Sequence, residues 1–258
     1  MFWKNRVTIL AYHRVVAVKP SASSHGIWVE AKNFNKQMKL LHFMGFETIS
    51  LDMLLASISG QEAGGKGQGN VAVPKLPKKS IILTFDDGYQ DNYLYAFPIL
   101  KKYGFTATVF LVKEQIGKVN QWDILPGEEP IRLLSIDEIK EMAEYGISFG
   151  AHTVTHPHLA QLSKEEARSE IAQSGKGLEE IIGKEVTSFC YPYGEFNNEI
   201  KQMTKDAGYK CACACDTEEP DIFALARVQI FPKTSLFGFW KKIQGWYPWY
   251  RGLKRRQR

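Results

Sequence analysis

Two adjacent carboxylates, Asp86 and Asp87, end the apolar run of "SIILTFDDGYQDNY". Two histidines four apart, His152 and His156, follow "ISFGA". His13 closes "VTILAYH", and Tyr193 sits in "SFCYPYG". These residue types suit metal-assisted hydrolysis. A catalytic zinc takes about three protein ligands from histidine and carboxylate and keeps a position open for water. His152 and His156 supply two nitrogens, and one aspartate supplies the third ligand. The same set also suits other divalent metals. Pro157 follows at once, which puts the pair on a loop and not on a helix. The second aspartate then has a separate job. Beside a cation it stays ionised, and it can take a proton from water whose pKa the metal has lowered to about 7. Each feature alone has a plainer reading: a turn aspartate, a helix N-cap, a surface histidine pair.

The elements around these residues decide between the readings. "VTILAYH", "ETIS", "SIILTF", "TATVFLV", "ISFGAH", "SFCYPYG", "KCACAC" and "ALARVQI" read as strands. "SIILTF" is nearly continuous in apolar residues, as a strand covered on both faces must be. Helical patterns alternate with them: "NFNKQMKLLHFMGF", "LDMLLASIS", "DNYLYAFPILKKYG", "SIDEIKEMAEYG", "SKEEARSEIAQSGKGLEEIIG" and "NNEIKQMTKDAGY". Ser135 with Glu138, and Ser163 with Glu166, have capping-box spacing, and Gly104 and Gly146 stand where helices end. "GQEAGGKGQGNVAVPKLPKK" reads as a Gly- and Lys-rich loop. Strand and helix in alternation predict α/β architecture with a parallel sheet. Seven or eight units in 258 residues favour a closed barrel over an open sheet. Such a fold gathers the C-terminal ends of its strands, and the polar clusters fall there.

In chain order, "TFDDG", "HTVTH" and "YPYG" resemble successive motifs of the polysaccharide deacetylases, the NodB-homology or carbohydrate esterase family 4 proteins. "YHRV", "FPILKKYGFTATVFL", "AGYKCACACD" and "LARVQI" agree, so the resemblance runs from about Thr8 to Ile230. It implies a distorted (β/α) barrel, often seven-stranded, and metal-dependent removal of the N-acetyl group from an amino sugar. By position, Asp86 resembles the catalytic base, and Asp87, His152 and His156 the metal ligands, with zinc the metal expected. Tyr193 resembles the residue whose backbone N–H helps hold the tetrahedral oxyanion.

The sequence departs from that pattern twice. Many members carry an arginine near Pro-Tyr that orients the base; here Cys190 stands there, and Arg227 is the expected substitute. Many also carry a late histidine that protonates the leaving amine. No histidine follows His158, and amide cleavage needs that proton. His13, His158 and protonated Asp86 are the three sources left open, with His13 favoured. Two other functions stay open beside N-deacetylation: hydrolysis of an O-acetyl ester or another amide on the same site, and glycan binding with weak catalysis. Trp122 has two readings, stacking on a sugar ring or packing under its loop.

Cys211, Cys213 and Cys215 alternate along one strand face, which suits small buried residues better than a disulfide or a metal cluster. The chain is 44% hydrophobic and 24% charged, ordinary for a globular domain. Its charge is uneven. From Ile222 to Arg258 there are nine Lys/Arg and no Asp/Glu, leaving 24 basic against 28 acidic residues elsewhere. A catalytic domain is therefore expected over residues 1–235, with a basic aromatic tail over 236–258. Trp240, Trp246, Tyr247, Trp249 and Tyr250 among seven basic residues suit an anionic membrane surface; no nucleic acid is expected. "MFWKNRVTILAYHRV" does not read as a signal peptide. The expectation is a cytoplasmic protein, peripheral at the inner membrane face, acting on an N-acetylated glycan.

Overall fold

The computed structural model describes residues 7–20, 26–63, 75–122, 124, 129–215, 217, 221–244 and 247. Residues 64–74 of the loop expected from Gly60 to Lys79, and most of the tail, lie outside the described residues.

β1 (Thr8–Tyr12) is buried along its whole length. β2 (Arg14–Val16) and β3 (Trp28–Glu30) pair in parallel as a small separate sheet. The strand expected over Val7–His13 thus ends at Tyr12, and the strand Arg14–Val16 beyond it was not expected. α1 (Ala31–Phe43) turns Phe34, Met38 and Leu41 into the core. β4 (Glu47–Thr48) leads to α2 (Leu51–Ala63), which runs past Gly60, where the sequence reading ended it. β5 (Ser80–Phe85) is fully buried, as its composition requires. Next comes a π-helical turn, Asn92–Ala96, before α3 (Phe97–Tyr103) ends at left-handed Gly104. β6 (Thr108–Leu111), α4 (Ile136–Tyr145) and β7 (Ser148–Ala151) follow. α5 (Lys164–Ile182), β8 (Ser188–Cys190), α6 (Asn198–Asp206) and β9 (Cys211–Ala214) continue the alternation. Both capping boxes form, at Ser135/Glu138 and Ser163/Glu166. β10 (Leu225–Ala226), β11 (Val228–Gln229) and α7 (Leu236–Lys242) complete the described chain.

The main sheet is parallel, in the order β10-β9-β8-β7-β6-β5-β1-β11. Its two edge strands are consecutive in the chain. Only Arg227 separates them, and they pair with β9 and β1, so the sheet nearly closes into a barrel. The strand expected over "ALARVQI" is thus two short strands broken at Arg227. Eight strands stand in the ring where seven were expected.

Alternation along the strands sorts the core. Leu10, Tyr12, Ile81, Leu83 and Phe85 pack outward against Phe34, Met38 and Leu41 of α1. Ile9, Ile82, Phe110, Cys190, Cys211, Cys213 and Leu225 form a second cluster with Leu51, Leu54 and Leu55 of α2. Period-2 side-chain direction requires these two sets to lie on opposite faces of the strands. The buried cysteines belong to the inner set. Burial pushes the Cys190 thiol well up and that of Cys213 to about 12, so these are neutral packing groups. At the other end of the chain, Phe239 and Ile243 join the outer core, while Phe237 and Trp240 of α7 stack on each other, exposed. No helix among the described residues is long and apolar enough to cross a membrane.

Candidate metal and acid–base site

Strand ends deliver the functional side chains to one pocket of about 220 Å³. His13 comes from beyond β1, Asp86 and Asp87 from beyond β5, His152 and His156 from beyond β7, and Tyr193 from beyond β8; all six line it. Ile27, Tyr191, Gly194, Cys215 and Gln229 complete the wall.

The backbone explains how neighbouring residues take different jobs. Among the described residues, four non-glycine residues have positive φ: Asp87, Thr153, His156 and Tyr193. All four lie in these strand-end loops. Such conformations cost of order 1–3 kcal/mol each and persist where surroundings impose them. At Asp87, φ of 73° turns its side chain away from that of Asp86. Gly88 continues the turn with φ of 73°, and a Cβ there would lie 2.7 Å from Leu111 Cδ2. The loop after β7 is held by Glu170 of α5, whose carboxylate accepts from the Val154 and Thr155 amides and the Thr155 hydroxyl.

Asp87, His152 and His156 converge, and they are the group among the described residues whose ligand atoms could hold a metal ion. His152 Nε2 lies 3.4 Å and His156 Nε2 3.3 Å from Asp87 Oδ1. The donor set fits a cation. His152 Nδ1 is 2.7 Å from the Cys190 carbonyl oxygen, which only accepts, so the proton belongs on Nδ1 and the lone pair on Nε2. Two acceptors then face each other across 3.4 Å, unless a proton or a cation lies between them. A single cation satisfies both rings and the carboxylate. Trp122 is buried and stacks on His156, centroids 4.4 Å apart. It packs under its loop against a ligand ring.

Asp86 has a different partner. Arg227 donates from both terminal nitrogens to its two oxygens, at 2.6 and 2.7 Å. The guanidinium is fully buried and also donates to Thr84 Oγ1 and the Ala214 carbonyl, with Cys190 Sγ 3.1 Å away. Cysteine at 190 thus leaves room for an arginine that arrives from the broken strand. Burial pushes the Asp86 carboxyl up; the charge and hydrogen bonds of Arg227 more than offset this and leave it below its ordinary value. His13 Nε2 stands 3.7 Å from Asp86 Oδ2. His158 does not line the pocket. Its ring lies flat on Tyr193, 3.9 Å away, and its Nδ1 meets Glu195 at 2.9 Å.

Thr84 and Glu170 also shape the site, and sequence reasoning assigned them no part in it. Thr84 meets Arg227, 143 positions on, and Glu170 reaches back 15 and 16 positions to the loop after β7, so no local pattern marks them.

Comparison with known proteins adds an independent view. The family described as polysaccharide deacetylase matches residues 74–212. YxkH of Bacillus subtilis (strain 168), whose name places it with the polysaccharide deacetylases, is 29% identical over 243 residues, 93% of this chain and 76% of that one. The poly-beta-1,6-N-acetyl-D-glucosamine N-deacetylase of Staphylococcus epidermidis is 31% identical over 169 residues, 60% of this chain. Here the chain spans about half of its relative, 56%. Among solved structures, the Streptococcus pyogenes deacetylase PplD, in complex with acetate, aligns with a TM-score of 0.76 and 25% identity. The match covers 92% of this chain and 98% of that one.

Proposed function

The chain belongs to the polysaccharide deacetylase family, and from that premise we propose that it hydrolyses the N-acetyl group of an amino sugar within a glycan, releasing acetate and leaving a free amine. One observation carries the reading. A carboxylate held in a bidentate pair by a buried arginine stands beside a separate Asp/His/His cluster, in the same pocket. A glycan-binding protein has no evident need for that pairing. The N-deacetylase name of the Staphylococcus epidermidis relative and the acetate bound to PplD support the same chemistry.

Asp87, His152 and His156 would hold the metal, and a nitrogen-rich set of three suits zinc. A bound divalent ion supplies Lewis-acid chemistry: it polarises an amide carbonyl and lowers the pKa of water to about 7, within reach of a base as weak as Asp86. The chain's own groups do the rest. Arg227 keeps Asp86 ionised and fixes its direction. Asp86 accepts a proton from the attacking water. The Tyr193 amide, set by its left-handed backbone, donates to the oxyanion as it develops. His13, on the wall next to Asp86, gives a proton to the leaving nitrogen, which would otherwise depart as an amide anion.

The test compares acetate release from N-acetylglucosamine oligomers with release from O-acetylated sugars. Faster turnover of the amide supports the proposal; turnover of esters alone contradicts it.

The membrane partner belongs to the same proposal. Its support is the composition of the tail and the exposed Phe237 and Trp240 beside Lys241. On that reading the protein works at the inner face of the membrane, and it should sediment with anionic vesicles at low salt but not with neutral ones.

A further inference from the structure

Asp91 is a buried carboxylate that the chemistry above does not use. Its Oδ2 accepts from Arg14 Nε at 2.7 Å, and its Oδ1 from the Val15 amide at 3.1 Å. The Arg14 guanidinium also lies 5.5 Å from the centroid of the Tyr89 ring. Asp91 stands at the end of the loop that carries Asp86, directly before the π-helical turn Asn92–Ala96. Single π turns inside helices gather at functional sites.

The segment that Asp91 grips is the one that bears His13. On one side of His13, β1 ends at Tyr12, whose carbonyl accepts from the Asp86 amide and whose hydroxyl donates to Gln37. On the other side, Arg14 and Val15 are tied to Asp91. His13 belongs to neither strand, and its Nε2 stands 3.7 Å from Asp86. A single loop, residues 86–91, thus holds the base at one end and, through Asp91, the histidine at the other.

We propose that Asp91 is a positioning residue that sets His13 for proton delivery to the leaving nitrogen. The inference rests on the reading of His13 as the acid in the proposed deacetylation. In that step the carbon–nitrogen bond breaks, and nitrogen keeps the electron pair and takes a proton from His13. Water supplies the oxygen of acetate and a proton to Asp86. Buried ion pairs are weak sources of stability. Burial pushes the Asp91 carboxyl up to about 6 in spite of Arg14, so ionised Asp91 is held at a cost. Its retention is better explained by the geometry it imposes.

Substrate choice separates this role from a general structural one. An N-acetylglucosamine tetramer needs a proton on its leaving nitrogen. 4-Nitrophenyl acetate does not, because its phenolate leaves unaided. Asp91→Asn should lower kcat on the tetramer about tenfold or more, with KM and zinc content unchanged. Its rate on the ester should change less than twofold. With His13→Ala already present, adding Asp91→Asn should cost less than a further twofold on the tetramer. Equal losses on amide and ester, or losses that multiply with His13→Ala, would overturn the inference. If His13→Ala alone left the amide-to-ester ratio of the wild type, the acid reading itself would fall, and the inference with it. Should Asp91→Asn not fold, Arg14→Lys removes the Nε donor while Asp91 keeps its bond to Val15. It must show the same selective loss.

Discussion

Replacing Arg227 with methionine removes the guanidinium while filling most of its space. In the wild type, two charge-assisted hydrogen bonds of 2.6 and 2.7 Å join side chains that are 0% and 3% exposed. Breaking a buried pair from one side leaves an uncompensated charge and costs about 3–5 kcal/mol. For a chain of this size each kcal/mol moves Tm by roughly 2–4 °C, so a fall of about 10 °C is expected. The variant should also lose at least about 100-fold in kcat, because a positioned general base is worth roughly 10²–10⁴. KM and zinc content should change little, since Asp87, His152 and His156 do not touch the arginine. Arg227→Lys should fall between: it keeps the charge but cannot span both oxygens. The assays are acetate release, thermal unfolding and metal analysis on the purified variants. Removing the charge on Asp86 as well, in Asp86→Asn/Arg227→Met, should recover part of the lost stability. Arg227→Met with kcat within threefold of wild type would refute the claim that this pair prepares the base.

The adjacent aspartates should separate cleanly. Asp87→Asn should lose zinc affinity, whereas Asp86→Asn should bind zinc and lose turnover; equal zinc binding by both, measured by titration, would contradict the assignment. Gly88→Ala puts a Cβ 2.7 Å from Leu111 Cδ2 at a φ of 73°. It should cost about 1–3 kcal/mol in chemical denaturation. Asp91 titrates near 6 in the fold against 3.8 unfolded. A raised carboxyl binds its proton more tightly when folded, so its contribution favours folding below pH 4 and is lost as pH rises through 6. The stability of wild type minus that of Asp91→Asn should therefore fall by about 2 kcal/mol between pH 4 and pH 7. A flat difference would contradict the shift.

What was readable in the sequence had local causes. The capping serines, the left-handed glycines and the buried run of β5 each announce their element through a neighbour within a few residues. The clusters "TFDDG", "HTVTH" and "YPYG" were readable because a parallel barrel brings strand ends together whatever lies between them. The break at Arg227 was not. "ALARVQI" has an unbroken strand composition, but its two halves pair with opposite edges of the sheet, and its arginine turns inward to a partner 141 positions earlier. The same holds beyond His13, where Arg14–Val16 forms an unexpected strand whose Val15 amide is tied to Asp91, 76 positions on. The π-helical turn Asn92–Ala96 lies in a stretch that reads as one unbroken helix in the sequence. Glu170 reads as an ordinary helix residue until the fold places it against the ligand loop.

The central claim is that the Asp87/His152/His156 cluster and the Asp86–Arg227 pair act together in removing acetyl groups from an amino sugar. Acetate and free amine should be counted together from an N-acetylglucosamine oligomer, first with the protein as isolated, then after chelation, then after zinc is restored. Acetate and amine should appear in equal amounts, both should be lost on chelation, and both should return with zinc. Release that continues undiminished in the metal-stripped protein, or no release from any N-acetylated glycan at full zinc loading, would contradict it.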